Sequence, residues 1–216
     1  MSGQWSSVAS DLCPGEDSAI PEESRNLSVN AFSRETVFHV VNGRWWVTVN
    51  GKPQSLNSKH SHVGCPADVG WSPDSKALYI TQSDGEIAGF HTEVFLLADR
   101  LEELTPGINS VIERDFTRDH GCIQRIKGKL VTEEPNIAGL RWVRDHDQLL
   151  LVAEVRPDSL CGHRGYFAGY LLEIPTGKII ERYSPGELNR QWAADLGVRL
   201  KGDFEGLAVK ERDMKP

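Results

Sequence analysis

The sequence predicts an all-β chain assembled from successive short antiparallel sheets, and three observations carry that expectation. The stretch Gly70–Gly107 reads as one four-stranded unit, residues 139–186 form a degenerate copy of it, and Thr36 to Leu56 is a run of hairpins ahead of both. Matching copies of a strand unit roughly forty residues long, with period-2 strands, are the trace that a radial repeat leaves in a sequence. An ordinary meander or sandwich is the alternative arrangement.

Within the central unit, Trp71-Ser72-Pro73-Asp74-Ser75-Lys76 is a tight turn in which Pro73 presets φ and Asp74 can bond the backbone beyond it. Ala77–Thr81 is a β-rich apolar run and Gln82–Glu86 a polar loop. Glu93–Leu97 is a second run, Ala98–Arg100 a turn, and Leu101–Thr105 a short last strand. This order resembles the repeat of TolB-type propellers, whose signature is Trp-Ser-Pro-Asp-Gly-Lys, a strand, a Glu-Ile-Tyr-like strand and a closing Leu-Thr. The resemblance implies a β-propeller-like fold of about four to five blades, small, open or incomplete. Ser75 stands where that signature has a glycine in the left-handed conformation, so either Ser75 is strained or the turn differs.

At 216 residues the chain is one domain, or one domain with an extension. Its net charge of -7 argues against binding nucleic acid or an anionic membrane. No window approaches the roughly eighteen apolar residues of a bilayer span. The first 26 residues lack the basic and hydrophobic regions of a signal peptide. The expectation is a periplasmic or secreted protein if a signal has been removed, and otherwise a cytoplasmic one. Exported company is common for TolB-type repeats, and four cysteines permit two bridges.

Taken in order, residues 1–26 read as an extended arm, polar and carrying Pro14, Gly15, Pro21 and five acids. Residues 27–216 form the propeller-like domain, with blades at about 27–57, 64–107, 123–135 (partial) and 137–186. In the first blade two β-rich runs flank Asn42-Gly43, the pair favoured in type I′ turns, and Asn50-Gly51 starts another turn. After the central unit, Ser110 and Glu113 fit a capping box and Gly121 a C-terminal cap, so a short helix is expected at 111–119 as an insertion between blades. Ile123–Val131, broken at Gly128, gives one or two short strands.

The second copy repeats the spacing of the first. Trp142 stands seven residues before Leu149 as Trp71 does before Leu78, and Tyr183-Ser184-Pro185-Gly186 matches Leu104-Thr105-Pro106-Gly107. Ser184 and Glu187 open a C-terminal helix at 185–197, with Leu188, Trp192 and Leu196 as its packing stripe. Asp203–Val209 is a last candidate strand, which either closes a ring or begins an incomplete blade.

The resemblance also implies that the loop entering a blade and the loop joining its middle strands open on one face. Residues 57–67 carry His60, His62 and Cys65; residues 109–122 carry His120 and Cys122; residues 154–165 carry Cys161, His163 and Arg164. His60, His62, His120, His163 and Arg164 are the candidate ligand- or partner-binding residues. Cys122 with Cys161 and Cys13 with Cys65 is the favoured disulfide pairing, each bridge contributing about 2–4 kcal/mol. Four cysteines allow other pairings, and free thiols or a Zn²⁺ site are the competing accounts. No finger spacing, Cys-x-x-Cys or His-Glu-x-x-His is present, so no metal or other cofactor is assigned, Ca²⁺ and Zn²⁺ being weak alternatives.

No Gly-x-Ser-x-Gly, Walker or dinucleotide motif occurs, and no catalytic residue is assigned. Acid pairs such as Glu133-Glu134 and Asp145/Asp147 read as solvated turn charge. The expected function is a non-catalytic propeller that binds a protein or small molecule through the loops of one face. Phe204-Glu205-Gly206-Leu207-Ala208 resembles a strand start in calcium-dependent propeller lactonases and esterases, which makes a propeller hydrolase one alternative. A structural platform in a larger assembly is the other.

Overall fold

A computed structural model of the chain describes residues 27–30, 36–41, 44–56, 66–83, 90–97, 101–120, 123–126, 128–156, 159 and 166–199. The expected arm 1–26 and strand 203–209 lie outside the described residues. What is described is mostly β, in antiparallel sheets with two helices.

The first sheet holds β1 (Leu27–Asn30), β2 (Thr36–Val41), β3 (Arg44–Val49) and β4 (Lys52–Ser55), and the second β5 (Pro66–Trp71), β6 (Ala77–Ser83), β7 (Phe90–Leu97) and β8 (Leu101–Glu103). A two-stranded hairpin follows α1 (Thr105–His120): β9 (Ile123–Ile126) and β10 (Lys129–Thr132). The third four-stranded sheet holds β11 (Asn136–Arg144), β12 (Gln148–Glu154), β13 (Phe167–Glu173) and β14 (Lys178–Tyr183), and α2 (Pro185–Arg199) closes the described chain. Each four-stranded sheet is a meander, with neighbours in chain order.

The turns behave as their residues dictate. Asn50 and Gly51 both take positive φ, 50° and 73°, the requirement of a type I′ turn. In the Trp71–Lys76 turn the Ser72 hydroxyl donates to Asp74 Oδ1 at 2.7 Å and accepts from the amides of Lys76 and Ala77. Ser75 sits at φ 61°, so it holds the left-handed position itself. An L-residue there costs about 1–2 kcal/mol, partly offset by the entropy a glycine would lose. Ser75→Gly should therefore raise the unfolding free energy in urea by about 0.5 kcal/mol. A loss of stability would show that contacts of the Ser75 side chain outweigh the strain.

The four-stranded sheets stack face to face. β6 is buried on both sides, and its alternation decides which residue meets which neighbour. Leu78 and Ile80, with Trp71, Phe95 and Leu97, pack on Val47 of the first sheet and on Leu56 just after it. Ala77 and Tyr79, with Val94, pack on Ile137, Leu149, Leu151 and Ala153 of the third. The far face of the third sheet, including Leu150, Val152 and Phe167, is met by Leu188 of α2, with Trp192 against it. Trp71 pairs with Leu78 and Trp142 with Leu149, so the shared spacing of seven is a shared register.

Polar links cross the joint between the second and third sheets. Trp142 Nε1 donates to the Gly70 carbonyl at 3.0 Å, and Tyr79 Oη to the Leu140 carbonyl at 3.1 Å. The Gly139 amide reaches the paired hydroxyls of Thr81 and Thr92. Asp74 and His146, at matching turns of the two sheets, meet at 2.5 Å. Burial pushes the Asp74 carboxyl up, but hydrogen bonds from Ser72, the Lys76 amide and His146 outweigh it and hold it below its ordinary value.

Two expectations about helices are corrected. The inserted helix is not a short element at 111–119 but spans sixteen residues from Thr105, with Pro106 in its first turn. Ser110 is inside it and donates to the Pro106 carbonyl at 2.6 Å, so it is not a cap. Residues 109–120 are accordingly helix, not loop, and β8 ends at Glu103 because the chain has already turned towards α1. The C-terminal helix does open on the Ser184–Glu187 box, with the Ser184 amide donating to Glu187 Oε2 at 2.8 Å. It continues past Gly197 to Arg199, with non-helical angles at Trp192.

Candidate functional site

The position of α1 determines the site. Ile108, Ile112 and Phe116 recur every four residues and seat the helix in the core between the second and third sheets. Glu113, Thr117 and His120 then fall on an adjoining flank. Asn109 Nδ2 donates to the Thr92 carbonyl at 3.2 Å, which ties the helix to the second sheet. Asp115 receives both Arg182 Nε at 2.6 Å and Nη2 at 2.7 Å, which ties it to the third. Those Arg182 hydrogen bonds hold the Asp115 carboxyl below its ordinary value, against burial.

At the end of α1 the surface is concave. The depression is lined by Phe116, Thr117 and His120 of α1, by Glu133, Glu134 and Pro135 ahead of β11, and by Val155 and Arg156 after β12. His120 stacks on Tyr166 with ring centroids 4.0 Å apart, and Phe116 lies 5.4 Å from His120 and 6.2 Å from Tyr166. An aromatic wall therefore stands beside two carboxylates and a guanidinium. Burial, and then the neighbouring Glu134, push the half-buried Glu113 carboxyl up. Burial, followed by Asp119, does the same to the Tyr166 phenol.

This arrangement can hold a charged or aromatic group. Among the described lining residues the one hydroxyl, on Thr117, donates to the Glu113 carbonyl within its own helix. Among the described residues, no group of three or more His, Cys, Asp or Glu is placed to hold a metal ion. No described helix is long and apolar enough to cross a membrane.

Of the expected site residues, His120 is the one described, half-buried at the end of α1. His60, His62, His163 and Arg164 lie outside the described residues, as do Cys13, Cys65, Cys122 and Cys161. Arg156 and Tyr166, which bracket the segment carrying Cys161, His163 and Arg164, both come to the neighbourhood of His120. Glu133 and Glu134, solvated turn charge by their sequence context, both line the depression, Glu133 half-buried and Glu134 exposed. Phe116 carried a usable signal, since it continues the stripe begun by Ile108 and Ile112. Phe167, Tyr170 and Trp142 are buried in the core and Tyr166 is half-buried.

No family model, curated protein or solved structure matches the chain.

Proposed function

We propose that this chain is a non-catalytic, β-propeller-like binding module that takes a protein or small-molecule ligand at the depression around His120. What supports the reading is the convergence there of three separate chain segments, two of them anchored on a buried core, around an aromatic wall and opposed charges. A rigid scaffold carrying recognition groups at its rim is the arrangement expected of a binding site. The repeated four-stranded meanders, stacked face to face, support the propeller-like description, in which the repeat resembles the TolB type.

A thermal-shift screen of small charged and aromatic compounds on the full chain, followed by NMR titration, tests this. Bound compounds should move resonances of His120 and Tyr166, and His120→Ala should weaken them by about tenfold without lowering the melting temperature. Turnover of an ester or lactone panel that disappears in His120→Ala would overturn the binding-only reading and favour the hydrolase.

A further inference from the structure

The hairpin β9–β10 stands apart from the three other sheets. Each of those has four strands, whereas no described strand adds to either edge of this one. An isolated two-stranded hairpin is marginal in water, and an unpaired strand edge is a template for another strand. Pairing Ile123 with Thr132 and Leu130 with Arg125 puts these four positions on one face and position 129 on the other. Ile123 is 65% exposed and Leu130 69%, the two most exposed large apolar residues among those described.

Charge sets the hairpin apart as well. Residues 123–132 contain Arg125, Lys127 and Lys129 and no acid, in a chain of net charge -7. We infer that this hairpin is a docking strand pair for a partner's extended segment of alternating acidic and aliphatic residues, which adds to it as a further strand. The aliphatic side chains cover Ile123 and Leu130, the carboxylates on the other face answer Lys129, and main-chain hydrogen bonds form along an edge to which no described strand adds.

Two other occupants fit less well. A second copy would bring two basic hairpins together, and like charges across strands repel. An anionic bilayer would face the negative charge of the whole molecule and offers no main-chain donors or acceptors to the strand edge. A peptide along the hairpin samples mainly charges within about one Debye length of it, roughly 8 Å. The inference does not depend on the depression at His120.

The test uses the full chain and two fluorescent nonapeptides that alternate valine with glutamate or with lysine. The acidic peptide should bind at least about tenfold more tightly than the basic one, and lose affinity as salt rises. Lys129→Glu and Leu130→Ser, both at exposed positions, should each weaken it about fivefold or more while leaving the melting temperature unchanged. Protection of β9 or β10 amides from hydrogen exchange in the complex should identify the strand edge used. Equal binding of the two peptides, or none, overturns the proposal. Saturable binding to phosphatidylglycerol-containing vesicles that Lys129→Glu abolishes would reassign the hairpin to membranes, and a dimer dispersed by Leu130→Ser would reassign it to self-pairing.

Discussion

Tyr79→Ala is expected to remove about 3–5 kcal/mol of folding stability, a large share of what a single domain possesses. Tyr79 is 1% exposed at the joint between the second and third sheets. Its ring fills a slot floored by two glycines, one in each sheet. A Cβ built on Gly70 would lie 2.2 Å from Tyr79 Cε1, and one on Gly139 would lie 2.5 Å from Cδ2. The ring is thus in contact with backbone on both sides, and sheets cannot collapse into the space it would leave without losing the Trp142–Gly70 and Gly139–threonine links. Tyr79→Phe keeps the ring and removes the hydroxyl that donates to the Leu140 carbonyl, for about 1 kcal/mol. Gly139→Ala should be strongly destabilising in the wild type and nearly neutral in Tyr79→Ala, because the clash is with that ring. Urea unfolding of the four proteins measures the cycle. Additive effects, or a loss below about 1.5 kcal/mol for Tyr79→Ala, would show that the two sheets are joined by something other than this slot.

How much of this was legible beforehand depended on whether the signal was local. Spacing between Trp71 and Leu78, and between Trp142 and Leu149, is set by one turn, so a repeated register showed directly in the sequence. The Ser184–Glu187 box was legible for the same reason, since both partners lie within one helical turn. Thr105-Pro106 opens a helix just as Ser184-Pro185 does, yet in sequence Thr105 looks like the end of a strand. Ile108 occupies the position of Glu187, so no box advertises the start, and Thr105 Oγ1 is instead used by the Val94 amide across the sheet. Ser110 and Glu113 supplied a decoy, because a serine within a helix can bond the carbonyl four residues back.

The depression was far less legible. His120 stood out by residue type, but its stacking on Tyr166 and its nearness to Glu133 and Arg156 depend on how α1 is seated between two sheets. That seating is fixed on one side by Asp115 with Arg182, a pair 67 residues apart in the chain. Nothing in local composition distinguishes such an aspartate from the solvated ones around it, and Asp119, one turn later, is exposed and paired with Arg118.

Glu154 gives the second large effect, and its sign is set by burial. It ends β12 at 3% exposure, opposite Asn136 and Phe167, with Oε2 buried and without a hydrogen-bond partner among the described residues. Burial pushes its carboxyl from 4.5 up to about 7, and the hydrogen bond with Asn136 only moderates the rise. The unfolded chain therefore releases this proton near its ordinary value, while the folded chain keeps it until about 7. Between those values the unfolded state binds fewer protons, so stability falls as pH rises and levels off once both states are ionised. At about 1.36 kcal/mol per unit the fall amounts to roughly 3 kcal/mol at most. Glu154→Gln should match the wild type near pH ~5, exceed it by about 2 kcal/mol near pH ~8, and flatten the profile between them. The gain is smaller than the full fall because the amide brings N–H groups into a place that offers few acceptors. Urea midpoints across that range measure it, and a wild-type profile parallel to that of Glu154→Gln would mean that Glu154 ionises with the same ease in the folded and unfolded chain.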